Sequence, residues 1–161
     1  MKYLFLAISS MLAIVAQMIA GNSFFLFNFL DIPLILIAYW AIYRSRVQAL
    51  FVGSLAGILL DAVLGWPLGF NGFGKTLAAF LMGQTAKHFN VEDGWIRFTL
   101  LAGASFVSSL SVFLLFLLLA RRVSPVFLEA SLAQAVITAL VGVLVLAARD
   151  SYQQAHAGKA N

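Results

Sequence analysis

Two carboxyl groups in apolar surroundings, those of Asp61 and Glu129, could act as a general acid or base. Asp61 interrupts the apolar run 47–64, and Glu129 lies near the start of the run 126–148. A carboxylate inside an apolar helix is costly and is usually paired. Acid–base chemistry on a lipid would need such a group. A structural ion pair is the simpler interpretation, so we do not predict an enzyme.

Further charged residues fall at the same level as Asp61 in the predicted fold. We expect three acids and three bases near the outer ends of the helices: Asp31, Asp61 and Glu129 with Lys75, Arg121 and Arg122. Asp61 and Lys75 are the pair that we predict to be in contact. Because ion-pair networks perturb charge without catalysis, we favour a structural role over a proton relay or substrate site.

Residues 69–76 match the phosphate-loop pattern G-x-x-x-x-G-K-[ST] letter by letter. In that motif a strand precedes the loop and a helix follows it. Here the preceding residues are predicted to form a membrane helix, and the chain has no room for a nucleotide-binding domain. We therefore interpret the match as a coincidence and predict no cofactor. The absence of cysteine and the isolation of His88 and His156 leave no metal site to predict.

The composition indicates a membrane protein. Of 161 residues, 63% are hydrophobic and 10% charged, and the mean hydropathy is +1.00. Soluble domains carry about 25% charged residues, so an ordinary soluble enzyme and a disordered chain are excluded. The net charge of +4 comes from dispersed basic residues, whereas a nucleic-acid-binding protein needs a clustered basic face.

Six apolar segments are long enough, or nearly so, to cross a bilayer. They are residues 3–20, 29–43, 47–64, 70–86, 98–120 and 126–148. The sequence thus predicts an all-α polytopic protein with about six transmembrane helices in one compact bundle. Five spans remain an alternative. Residues 1–149 form the predicted membrane domain, and residues 150–161 form a polar tail.

The distribution of Lys and Arg predicts the orientation. Seven of them lie in segments on the side of the N-terminus, and three lie on the other side. Since cytoplasmic loops are enriched in basic residues, we expect both termini in the cytoplasm and the chain in the bacterial cytoplasmic membrane.

A ladder of four glycines and one aspartate runs along the third predicted helix and into the segment that follows it. Gly53, Gly57, Asp61, Gly65 and Gly69 recur every four residues. On a helix this spacing keeps residues near one face, and glycines four apart let another backbone approach closely in lipid. We predict helix packing or a partner interface at these glycines, with packing inside the bundle favoured. Gly69, Gly72 and Gly74 suit an irregular re-entry after Pro67.

The segment 33–73 resembles the MreD family of rod shape-determining membrane proteins. The resemblance lies in Tyr39-Trp40, then Arg44 and Arg46, then the ladder from Gly53 to Gly69. It implies a non-enzymatic scaffold in the inner membrane that binds MreC, a single-span protein with a periplasmic domain. The implied assembly also contains MreB, RodA and a penicillin-binding transpeptidase, which build the side-wall peptidoglycan.

One alternative function comes from the shape of the predicted bundle. A six-helix bundle of this size resembles the substrate-binding subunits of energy-coupling-factor vitamin transporters, and the MreD family is expected to share that architecture. The residues available for such a site are Asp31, Asp61, Glu129 and Gln134. Few other polar residues converge there, so the scaffold is the preferred hypothesis.

Overall fold

The computed structural model describes residues 2–23, 29–89, 91, 93–119 and 127–157. The regular elements of these ranges are six α-helices. They are α1 (Lys2–Ser23), α2 (Ile32–Tyr43), α3 (Arg46–Leu64), α4 (Phe70–Thr85), α5 (Gly94–Leu118) and α6 (Phe127–Ala157). The predicted all-α fold is therefore confirmed, and each helix coincides with one predicted apolar segment.

Three of these helices are long and apolar enough to cross a membrane. They are α3, α5 and the part of α6 from Glu129 to His156. The apolar part of α1, Leu4–Ile19, and all of α2 are shorter. The fold is thus that of a membrane protein, and six complete spans remain a prediction.

Helix α2 lies at the centre of the bundle although it has only 12 residues. It contacts each of the other five helices, and its Leu34, Ile37 and Ala38 are fully buried. Successive helices alternate in direction, so side chains near Asp31 gather at one end and those near Asp150 at the other. We call these the Asp31 end and the Asp150 end.

Local signals set the limits of α2 and α3. The Asp31 carboxylate accepts a hydrogen bond from the Leu34 amide and caps α2, which has a proline in its first turn. At the Asp150 end, Ser45 and Gln48 form a capping box that starts α3. Only Arg44 and Ser45 separate the end of α2 from the start of α3, which makes the two helices antiparallel neighbours.

Glycines bring α3, α4 and α5 into close contact. A Cβ atom on Gly57 would lie 2.5 Å from backbone atoms of Asn71 and Gly72, and one on Gly53 would lie 2.8 Å from the Lys75 carbonyl oxygen. A Cβ on Gly74 would lie 2.7 Å from the Ser108 carbonyl oxygen. Gly53 and Gly57 therefore face a helix of the same chain.

The other two glycines of the ladder do not pack against a helix in the described part of the chain, and a partner interface at them stays a prediction. Gly65 and Gly69 have φ values of 65° and 101°, and neither would place a Cβ within 4 Å of another atom. They form the turn between α3 and α4, where a positive φ favours glycine. Gly72 and Gly74, predicted to suit an irregular segment, lie inside α4.

Helix α6 extends beyond the predicted end of the membrane domain. It continues through Asp150 to Ala157, so residue 149 does not coincide with the end of a helix. Asp150 accepts hydrogen bonds from Tyr43 and Arg97, which fixes the start of the predicted tail to the bundle.

The close approach at Gly57 leads to the first testable prediction. The substitution Gly57→Ala should lower the free energy of unfolding by about 1–3 kcal/mol, because the new methyl group meets backbone that only moves with the whole of α4. Thermal unfolding in mild detergent measures the loss. Gly103→Ala is the matched control, since an added Cβ there meets nothing within 4 Å. Equal behaviour of the two variants would contradict this packing role.

Candidate functional site

The carboxylate of Asp61 is fully buried and is bound by the beginning of α4. It accepts hydrogen bonds from the backbone amides of Gly69 at 2.9 Å, Asn71 at 3.0 Å and Gly72 at 3.3 Å. The side-chain amide of Asn71 donates a further bond of 2.8 Å. Four donors thus replace the water that the buried charge has lost.

The turn after α3 explains how Asp61 reaches these amides. The backbone amides of Gly65 and Trp66 both donate to the Asp61 carbonyl oxygen, which ends α3 in a left-handed turn. The chain then returns to Gly69, which has no side chain to cap α4. The Asp61 carboxylate supplies that cap from the preceding helix, where the positive end of the α4 dipole favours an anion.

This arrangement gives the phosphate-loop match a physical explanation. Backbone amides at a helix N-terminus form a site for anions such as phosphate. In this chain the amides of residues 69, 71 and 72 already bind the Asp61 carboxylate. The motif lysine, Lys75, is also engaged elsewhere, because it forms an ion pair with Asp31. The residues of the motif therefore serve the fold.

The predicted ion pair between Asp61 and Lys75 is wrong. Lys75 donates instead to the carboxylate of Asp31, and both side chains are buried, at 1% and 7% exposure. The glycine-rich turn after α3 is the sequence signal that distinguishes the two acids. Its backbone amides bind Asp61, so Asp31 is the acid that remains for Lys75.

Asp31 is also tied to two further helices. One carboxylate oxygen caps α2 through the Leu34 amide at 3.1 Å, and the other lies 3.4 Å from the Gln134 side-chain nitrogen. The Asp31 backbone amide donates to the Thr138 hydroxyl at 3.0 Å. Asp31 thereby links α2, α4 and α6 at this end of the bundle.

A cavity of 740 Å³ adjoins this ion pair. Its polar lining comes from five side chains: Gln17, Asp31, Asn71, Lys75 and Gln134. Its apolar lining includes Met18, Val63 and Leu64, which are exposed. We call this space the Asp31 cavity. Its volume falls within the range of about 300–1,000 Å³ that is typical of ligand pockets.

Glu129 does not join the other acids. It lies in the first turn of α6, its side chain is exposed, and no ion pair links it to another described residue. Arg121 and Arg122 lie outside the described residues. Among the described members of the expected cluster, only Asp31 and Lys75 pair with each other, and Asp61 is bound by the amides of α4. Within the described ranges no group of three His, Asp or Glu residues could hold a metal ion.

A second polar cluster, at the Asp150 end, was not predicted. The Asp150 carboxylate accepts bonds from Arg97, from the Tyr43 hydroxyl at 2.8 Å and from Arg149 at 2.9 Å. The Arg149 guanidinium lies 3.7 Å from the centre of the Tyr43 ring. Arg97, which is buried, also donates to the Val91 carbonyl oxygen. In the sequence, Arg97 and Arg149 are two of the seven basic residues that predict the orientation, and Asp150 falls on the same side of the membrane.

The capping bonds of Asp61 can be tested by removing its charge. Asp61→Asn should lower the free energy of unfolding by about 1.5–3 kcal/mol, since hydrogen bonds to a buried charge are lost and an amide NH₂ faces backbone donors. Thermal unfolding in detergent reports the change. Asp93→Asn is the control, because Asp93 caps α5 from an exposed position through a single bond to Trp95 and Asn caps as well as Asp. Similar losses in both variants would refute the special role of Asp61.

The buried ion pair predicts a non-additive result. Lys75→Met should cost about 3–5 kcal/mol, because it leaves the Asp31 charge buried without its partner. The double variant Asp31→Asn with Lys75→Met should recover most of that stability, because Asn preserves the cap on α2 without a charge. Chemical or thermal unfolding measures both. Lys87→Met, at an exposed lysine after α4, should change little. A double variant that is less stable than Lys75→Met alone would disprove the coupling.

Comparison with known proteins bears on the same residues. No curated protein and no solved structure matches the chain. A family model described as rod shape-determining protein MreD matches residues 1–147. The matched part contains both the Gly/Asp ladder and the Asp31–Lys75 pair. The resemblance noted in the sequence is thereby confirmed, and the chain belongs to the MreD family of rod shape-determining proteins.

Proposed function

We propose that this protein is a non-enzymatic scaffold of the cell-elongation complex in the bacterial inner membrane, where it binds MreC and supports side-wall peptidoglycan synthesis. Family membership supports a role in rod shape determination. The single structural observation that carries the finer proposal is an open apolar groove between α4 and α5.

The groove has the dimensions and lining of a helix-binding surface. It has a volume of 470 Å³, and its lining includes Leu81, Phe89, Trp95, Thr99, Gly103 and Val107. Along α5 it runs from Trp95 to Val107, which corresponds to about 18 Å of helix. Three turns of a membrane-spanning helix fit such a length.

Gly103 makes this groove suitable for a helix from another protein. It is exposed, and a Cβ at this position would meet nothing within 4 Å. By contrast, the space beside Gly57 is filled by α4. In lipid, close backbone approach at small residues drives association of helices. The occupant that we propose is the single membrane-spanning helix of MreC.

The orientation of the bundle completes the proposal. With both termini in the cytoplasm, the Asp150 end faces the cytoplasm and the Asp31 end faces the periplasm. Trp95, 79% exposed at the start of α5, would then lie at the inner membrane surface, where tryptophan is enriched. MreB, RodA and the elongation transpeptidase would join through this scaffold.

The proposal predicts a loss of partner without a loss of fold. Gly103→Trp should reduce recovery of MreC by about tenfold, which corresponds to ~1.4 kcal/mol of binding energy, because the indole fills the groove. The measurement is affinity purification from the native cells in mild detergent, quantified by mass spectrometry. Val136→Trp is the control, at an exposed position of α6. Both variants should unfold at the wild-type temperature.

Two outcomes would overturn parts of this proposal. Normal recovery of MreC with Gly103→Trp would show that the partner binds elsewhere. Recovery of a transporter ATPase pair in place of MreC would replace the scaffold by the vitamin-transport alternative.

A further inference from the structure

Three polar side chains of the Asp31 cavity, those of Lys75, Gln17 and Gln134, carry hydrogen-bond donors that are not fully used. Lys75 has three N–H donors, and in the described part of the chain only Asp31 accepts from it. Gln17 uses its carbonyl oxygen to accept from the Ile32 amide at 2.9 Å, which leaves its NH₂ group available. The NH₂ group of Gln134 has one long contact, of 3.4 Å, to Asp31.

The charged acceptor of the cavity, the Asp31 carboxylate, is nearly saturated, whereas the side-chain oxygens of Asn71 and Gln134 accept no hydrogen bond from another described residue. The Asp31 carboxylate already accepts from the Leu34 amide, from Lys75 and from Gln134. A carboxylate has about four lone-pair positions, so little capacity remains. A ligand that satisfies the unused donors of Lys75 and Gln17 must therefore bring oxygen acceptors. An ammonium donor is strongest toward an oxyanion, as in phosphate recognition.

The rim of the cavity indicates where that ligand comes from. Met18, Val63 and Leu64 line the cavity and are 53%, 46% and 47% exposed. Met18 lies in the last third of α1, and Val63 and Leu64 lie in the last turn of α3, so the cavity meets the surface at apolar side chains of these two helices. If the polar headgroup of a ligand lies among Lys75, Gln17 and Gln134, the rest of that ligand extends through an apolar opening. An amphiphile matches this combination of a polar interior and an apolar opening better than a free polar solute.

We propose that the Asp31 cavity binds the phosphodiester headgroup of a membrane glycerophospholipid, with Lys75, Gln17 and Gln134 as donors to its oxygens. The acyl chains pass between Met18 on α1 and the last turn of α3 into the bilayer. The Asp31–Lys75 pair is neutral as a unit, so the site holds the phosphodiester oxygens by hydrogen bonds from Lys75, Gln17 and Gln134 and not by an unpaired cation.

Three probes distinguish the sources of this chemistry. The protein, freed of lipid in mild detergent, is incubated with phosphatidylglycerol, with diacylglycerol of the same chains, or with glycerol 3-phosphate. Native mass spectrometry and thermal unfolding report binding. Phosphatidylglycerol should remain bound and raise the unfolding temperature, while the other two should not at equal concentration. Glycerol 3-phosphate acting as well as the lipid would overturn the membrane source and identify a soluble phosphate compound.

Two variants that keep the ion pair intact locate the ligand. Gln134→Leu removes a donor and should weaken phosphatidylglycerol binding by about tenfold, the effect of one hydrogen bond to a charged group. Val63→Trp narrows the opening and should weaken it at least as much. Val47→Trp, on an exposed position at the other end of α3, is the control.

The proposal fails if phosphatidylglycerol and diacylglycerol bind equally, because the headgroup then makes no contact with donors. It also fails if Gln134→Leu and Val63→Trp both bind as the wild type does, which would place the lipid on another surface. Gly103→Trp should retain phosphatidylglycerol, so loss of the lipid site and loss of MreC are separate results.

Discussion

The contact on which the bundle depends most is the Asp61 carboxylate at the N-terminus of α4. It joins the last turn of one helix to the first turn of the next through three backbone amides. This fixes the angle and register of α3 and α4, so that Gly57 meets the backbone of Asn71. If α3 were shifted by one residue relative to α4, a residue with a Cβ atom would replace Gly57 in that contact. The shift would also move Lys75 away from Asp31.

The ion pair of Asp31 and Lys75 follows from this register. A buried lysine in lipid is tolerated only beside an anion or other acceptor, and α4 presents Lys75 to the start of α2. Because Asp31 also caps α2 and binds α6 through its backbone, a short central helix is held by polar contacts at its beginning. The Asp150 cluster holds its other end through Tyr43. Polar groups therefore lie inside the bundle, and apolar side chains such as Leu12 and Leu144 face outward.

The sequence was sufficient to predict the class, the helices and the family, because long apolar runs and a four-residue ladder are local patterns. It was not sufficient to assign partners within the polar cluster. The sequence places Asp31 and Asp61 at the same predicted depth in the membrane as Lys75, so depth does not show which acid pairs with the lysine. The pairing depends on the backbone amides after Gly65, which bind Asp61 and leave Asp31 to Lys75. The same limit applies to the glycines. Gly57 and Gly65 share one spacing, yet the first faces a helix and the second adopts a positive φ.

The division between filled and open surfaces is the structural basis of the proposed scaffold function. Between α3 and α4, Gly53 and Gly57 pack against backbone of the same chain, which makes the two helices a rigid pair. Where α4 meets α5, Gly74 closes the contact near the Asp31 end, whereas Gly103 nearer the Asp150 end faces open space. Because α4 and α5 are in close contact near the Asp31 end and farther apart near the Asp150 end, a groove with rigid sides lies between them. A partner helix that enters such a groove loses its own freedom but requires no rearrangement of the protein, and this favours stable assembly over transport by moving helices.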